Sequence, residues 1–141
     1  MILMSTSKIQ ISSAYDSLTQ VEKLIEEICE ENNLSEDHYG NILVAVTEAV
    51  NNAIQHGNKF DPAKEIEVEY EKKKNSLVFR ITDQGQGFDF TTIPDPTDPE
   101  NLEKINGRGV FLMFKLADKV NFKENGRVVE LSFQPEASVG S

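Results

Sequence analysis

The sequence predicts an α+β domain built as a two-layer α/β sandwich, with a mixed, mostly antiparallel sheet and its helices on one face. Three observations carry this. The segment "EIEVEYE" (65–71) alternates, with Ile66, Val68 and Tyr70 on one side and four glutamates on the other, so its strand has one buried and one wet face. Strand-like segments come in consecutive pairs, which implies hairpins and antiparallel pairing. Two helical periods stand before the first pair, and one face of a sheet is enough to cover them.

The elements follow in order. "KIQISSAY" (8–15) alternates apolar and polar and reads as a first strand. From Ser17 to Glu31, Leu18, Val21, Leu24, Ile25 and Ile28 recur at helical spacing. "NNLSEDH" breaks that helix, and Ser35 is placed to cap the next one. The second helix runs from Ser35 to about His56 and ends at Gly57, a C-cap residue. After "EIEVEYE", "KKNS" turns the chain into a returning strand, "SLVFRITD" (76–83). "QGQGFDFTTIPDPTDPENLEKIN" has three prolines and little periodicity, and a loop this long inside a domain is expected to be functional. "GRGVFLMFKLAD" (107–118) is a Gly-rich turn entering a helix. "KVNFKE" and "RVVELSF" flank "NG", a hairpin signal.

Length and composition set bounds on function. A chain of 141 residues suits one domain, 1–141, with a core that needs no staples. Its single cysteine, Cys29, allows no internal disulfide and falls among the core positions of the first helix. No apolar run is long enough to span a membrane, so a soluble, cytoplasmic protein is expected. The formal charge of −10 argues against nucleic-acid binding through bulk electrostatics. An anionic ligand would need backbone N–H groups, a metal ion or a few placed cations. The two histidines, His38 and His56, lack metal-ligand spacing and are expected at the surface or in caps.

Three motifs suggest chemistry. On the second helix Ile42, Leu43, Val46, Ala49, Val50, Ala53 and Ile54 gather on one side. Glu48, Asn51, Asn52 and Gln55 gather on the other, with His56 at its edge. A solvated face would ordinarily use residues of better helix propensity. One carboxylate a turn away from an amide can instead orient an attacking hydroxyl, while the amide oxygen suits Mg²⁺. In "DQGQGFD" (83–89), Asp83 ends a strand, and Gly85 and Gly87 allow close approach of the backbone; taken alone the motif also fits an ordinary turn. "NGRGV" (106–110) opens a helix, so its N–H groups can face an anion, with Lys104 and Arg108 as nearby cations. It is neither a Walker A loop nor a Rossmann turn.

An Asn-bearing helix with "EAVNNAIQHG", a strand ending in "DQGQGFD", a long loop and "GRGVFLM" opening a helix together resemble the GHKL (histidine-kinase-like) ATPase superfamily. Within it the chain looks most like the small bacterial anti-sigma-factor serine/threonine-protein kinases. The resemblance implies the Bergerat-type ATP-binding fold, with ATP and Mg²⁺ as cofactors. It implies that Asn52 ligates Mg²⁺ and that Glu48 is the catalytic carboxylate polarising the attacking hydroxyl. Asp83 would accept a hydrogen bond from the adenine amino group, in a pocket shaped by Gly85 and Gly87. The loop 88–106 would be the ATP lid, and Gly107 and Gly109 would offer N–H groups to the phosphates. Some of these kinases carry an Arg shortly before the second Gly box; this chain departs from that with "EKINGRG", where Lys104 and Arg108 are the nearby cations and the phosphate contact is left open between them. The implied partners are an anti-sigma-factor antagonist bearing the phosphoacceptor serine and a sigma factor, with a homodimer as the expected assembly. Two other readings compete: a nucleotide-gated binding module without turnover, and an α/β interaction domain with no nucleotide site.

Overall fold

The computed structural model describes residues 6–85 and 108–134, with only the backbone described at 108–111 and 125. A five-stranded sheet is formed by β1 (Thr6–Ser12), β2 (Glu65–Lys72), β3 (Leu77–Thr82), β4 (Lys119–Lys123) and β5 (Val128–Phe133), in the order β1-β2-β3-β5-β4. All four pairings among these strands are antiparallel. Helices α1 (Leu18–Glu31), α2 (Glu36–Asn52) and α3 (Arg108–Leu116) complete the two-layer sandwich.

The register explains which face is covered. Tyr70, Phe79 and Leu131 lie in one cross-strand row and Val68, Ile81 and Val129 in the next, and all are buried. Against these rows pack Val21, Ile25 and Ile28 of α1, Ile42, Val46, Ala49 and Val50 of α2, and Met113 of α3. Aromatic contacts run along the core, from Tyr70 to Phe79 at a ring separation of 5.3 Å and from Phe79 to Phe133 at 5.9 Å. Burying such rings accounts for much of the driving force in a core of this kind. The opposite face holds the glutamates of β2. There Arg80 pairs with Glu130 at 2.8 Å and with Glu69 and Glu71 at 3.6 and 3.7 Å, while Lys8 pairs with Glu67.

Several boundaries differ from expectation. β1 begins earlier and ends at Ser12 rather than running over 8–15, because the Ala14 N–H turns back onto the Ser12 carbonyl. A short 3₁₀ turn, Tyr15–Ser17, then leads into α1. Ser35 caps α2 as expected, its hydroxyl accepting the His38 N–H at 3.2 Å. α2 does not continue regularly to His56. From Ala53 to Gly57 it widens into a π turn, in which the Asn58 N–H reaches back five residues to the Ala53 carbonyl. Such widened turns are frequent at functional sites. The β4–β5 hairpin forms, but "NG" is not a two-residue turn. Lys123 pairs with Val128 across four residues, with Glu124 at φ +50° and Gly126 at φ +89°. The Arg127 carbonyl is drawn away to accept the Asp83 N–H at 2.9 Å.

Candidate functional site

The end of α2, the end of β3 and the start of β5 meet at one edge of the sheet. α2 arrives there because its apolar stripe is held against the core through Ala45, Val46, Ala49 and Val50. Glu48 and Asn52, one turn apart, are thereby left half-buried on its flank. Thr47 and Asn51 form a separate row, about 100° further round the helix for each matching position. Thr47 Oγ1 and Asn51 Oδ1 are shielded from solvent and lack a hydrogen-bond partner among the described residues. The polar side of α2 thus carries the Glu48–Asn52 row beside the Thr47–Asn51 row. His56 lies in the π turn, half-buried, and Gln55 is exposed.

Asp83 is the chemically distinctive residue. It follows β3, is 7% exposed, and its Oδ1 accepts the Gly85 N–H at 2.8 Å. Burial pushes its carboxyl above the usual aspartate range, against the opposing pull of the Gly85 N–H and the charges of Arg127 and Lys64. Two glycines make room for it. A Cβ on Gly57 would overlap the Asp83 carboxylate, and a Cβ on Gly85 would overlap the Gly57 carbonyl. Neither glycine takes a left-handed φ, so close approach alone demands them. The carboxylate is thus packed closely between two glycine backbones, and it keeps acceptor capacity beyond the Gly85 N–H.

The chain leaves the π turn under strain. Lys59 and Phe60 both have left-handed φ, +52° and +60°, which costs non-glycine residues roughly 1–3 kcal/mol each. The surrounding bonds hold this segment, with the Phe60 N–H donating to the Ile54 carbonyl at 2.8 Å and the Phe60 ring set edge-on to Tyr15.

Of the residues singled out by sequence, Glu48 and Asn52 lie on α2 and Asp83 and Gly85 on the turn after β3. Arg108 and Gly109 form the first turn of α3, which packs against α2. Gly87, Lys104, Gly107 and the proposed lid 88–106 lie outside the described residues. His38 is in the first turn of α2, its ring Nδ1 3.3 Å from Ser35 Oγ. Cys29 is buried, and burial pushes its thiol up to about 11, so it is unreactive at neutral pH.

Residues 11–133 match the family model of the histidine kinase-like ATPase domain. The chain belongs to that family. Among curated members it is similar to the serine-protein kinase RsbW of Listeria innocua, 34% identical over 104 residues that cover 68% of this chain and 66% of the relative. It is also similar to the serine-protein kinase RsbW of Staphylococcus aureus, 31% identical over 97 residues, which cover 63% of this chain and 61% of that one. The chain thus spans just under two thirds of the length of these relatives. A crystal structure of the RsbU and RsbW domains of a Mycobacterium tuberculosis protein superposes with a TM-score of 0.63 at 12% identity, covering 94% of this chain and 33% of that one. That likeness is one of fold alone.

Sequence reasoning missed two features of this edge. Gly57 was read as a helix stop, whereas its absent side chain makes room for Asp83. Asn58 attracted no reading, yet it is 1% exposed and fully engaged in the site's framework. A polar residue directly after a helix-ending glycine is the signal that the sequence carries.

Proposed function

We propose that this protein is an ATP-binding serine/threonine-protein kinase of the anti-sigma-factor type, which phosphorylates a serine of a protein antagonist and sequesters a regulator, a sigma factor in this reading. The observation that carries the proposal is the Asp83 carboxylate, buried in a cradle that Gly57 and Gly85 keep free of side chains. In this reading the adenine amino group donates to Asp83, whose carboxylate the backbones of Gly57 and Gly85 pack against directly.

The rest of the site is read from the same end of α2. Asn52 offers an amide oxygen, a hard neutral ligand for Mg²⁺. Among the described residues no three His, Cys, Asp or Glu side chains converge as a metal cage, which suits a cation that keeps waters and phosphate oxygens as its other ligands. Bound there, Mg²⁺ would supply charge neutralisation at the phosphates. Glu48, one turn before Asn52, orients the attacking serine hydroxyl and accepts its proton. Gly107 and Gly109, with Lys104 and Arg108, contribute N–H groups and positive charge at the phosphates, while Gly87 shapes the adenine pocket with Gly85 and the loop 88–106 is the ATP lid. In a chain of charge −10, phosphate binding has to be arranged locally in this way.

The test is phosphoryl transfer from radiolabelled Mg-ATP to a candidate antagonist. The native protein should label a serine, and Glu48→Ala should lose labelling by several orders of magnitude while keeping its nucleotide affinity. Nucleotide-dependent partner binding with no phosphoserine would replace the kinase reading with that of a gated binding module. No heat on titration with millimolar Mg-ADP would remove both.

A further inference from the structure

We infer that Asn58, acting with Gln84, is a positioning residue that sets base recognition by holding the Asp83–Gly85 turn in register with the end of α2. This rests on Asp83 being the adenine acceptor, and it deepens that reading by naming what fixes the acceptor in place.

The π turn delivers Asn58 to its position. In a regular helix the Ala53 carbonyl would bond the Gly57 N–H. Here it takes the Asn58 N–H instead, at 2.8 Å. The Asn58 side chain then points into the protein, where it is 1% exposed. Its Nδ2 donates to Ser13 Oγ at 2.6 Å and to the Glu65 carbonyl at 3.1 Å, while its Oδ1 accepts the Gln84 N–H at 2.8 Å. One side chain thus joins the segment after β1, the start of β2 and the turn after β3.

Gln84 is gripped a second time. Its own Oε1 accepts the Glu65 N–H at 2.6 Å. On either side of it, the Asp83 N–H is bound to the Arg127 carbonyl and the Gly85 N–H to the Asp83 carboxylate. Every N–H from residue 83 to residue 85 is therefore fixed, and the orientation of the peptide between Asp83 and Gln84 depends on Asn58. Releasing that peptide would let the carboxylate rotate out of a cradle whose walls leave little tolerance. A side chain that only filled space would affect stability without affecting which base is chosen.

The test compares affinities for ADP and for inosine diphosphate, which carries a carbonyl in place of the adenine amino group and so opposes Asp83 with an acceptor. Calorimetric titrations are run on the full chain, with thermal melts to show that each variant is folded. The native protein should prefer ADP. In Asn58→Ala the preference should fall on the order of tenfold, the equivalent of one lost hydrogen bond. Gln84→Ala removes the exposed side chain that accepts the Glu65 N–H but keeps the backbone bond to Asn58, and should give an intermediate loss. A folded Asn58→Ala with an undiminished ADP preference overturns the inference. If that variant does not fold, Gln84→Ala decides, and an unchanged preference there overturns it equally. A native protein that binds ADP and inosine diphosphate alike, or neither, removes the adenine reading of Asp83 and this inference with it.

Discussion

Replacing Gly57 by alanine separates two effects that ordinarily mix. In a helical segment, glycine to alanine stabilises by about 0.5–1 kcal/mol, because the unfolded chain has less freedom to lose. Gly40, within α2, provides the reference, since a Cβ there meets nothing within 4 Å. Gly40→Ala should therefore gain roughly that amount. At Gly57 the same methyl would overlap the carboxylate of Asp83, which is 7% exposed and tethered through its own N–H and that of Gly85. Forced overpacking of this kind costs typically about 1–3 kcal/mol. Gly57→Ala should thus end up neutral to about 2.5 kcal/mol less stable, and about 1–3 kcal/mol below Gly40→Ala. With a urea slope of about 1–3 kcal/mol/M, the unfolding midpoints should differ by roughly 1 M. Displacement of Asp83 should also weaken nucleotide binding more than tenfold, while Gly40→Ala binds as the native protein does. Equal midpoints and equal affinities for the two variants would refute the close packing of Gly57 on Asp83 and the cradle built from it.

Other expectations follow from the same residues. Asn52→Ala should bind ADP without Mg²⁺ about as the native protein does, yet lose the gain in ATP affinity that Mg²⁺ confers; titrations with and without chelator measure this. Because burial raises the Asp83 carboxyl above 3.8, ADP affinity should decline on acidification at a higher pH than an ordinary aspartate would dictate, and Asp83→Asn should abolish that pH dependence along with most of the affinity. Arg80→Ala should cost about 1–2 kcal/mol, because it leaves Glu69, Glu71 and Glu130 clustered without their shared cation, and 1 M salt should recover part of the loss in urea melts.

The sequence made the fold readable wherever periodicity was strong. "EIEVEYE" places Ile66, Val68 and Tyr70 in the core because a strand with one wet face can only bury every second residue. The spacing of Val21, Ile25 and Ile28 identifies the buried stripe of α1 for the same kind of reason. Motif reading singled out Glu48, Asn52, Asp83 and Gly85 as candidates, and the fold brings Asp83 and Gly85 against Gly57 at the end of α2. The end of α2 was not legible. Whether a helix closes with an α or a π turn is decided by tertiary bonds, here Asn58 to Ser13, Glu65 and Gln84, which lie 45, 7 and 26 positions away. Residue types near Gly57 are compatible with both endings. The hairpin at 124–127 differs from the expected "NG" turn for a similar reason, since the carbonyl of Arg127 is claimed by Asp83 from another strand.

Two carboxylates, half-buried Glu130 and buried Asp83, show how opposite shifts in acidity arise on one fold. Glu130 lies on the open face; burial raises its carboxyl, but hydrogen bonds and charge from Arg80 and Lys123 outweigh that and hold it below 4.5. Its folded-state pKa is depressed, so its contribution to stability is present above 4.5 and is lost as the pH falls through the lower folded value. Asp83 has the opposite sign. Its folded-state pKa is raised, the folded chain binds the proton more tightly than the unfolded one, and stability declines as the pH rises from 3.8 through the folded value. At neutral pH the charge on Asp83 therefore destabilises the fold. Asparagine would fill the same space without that cost, and it could still accept the Gly85 N–H. What asparagine does not offer is a second acceptor oxygen, which in Asp83 packs against Gly57. A carboxylate that the fold stabilises needs no ligand to account for it. One that the fold holds above its ordinary value, packed against two glycines, is the candidate for a ligand's hydrogen bond that the adenine proposal makes of Asp83.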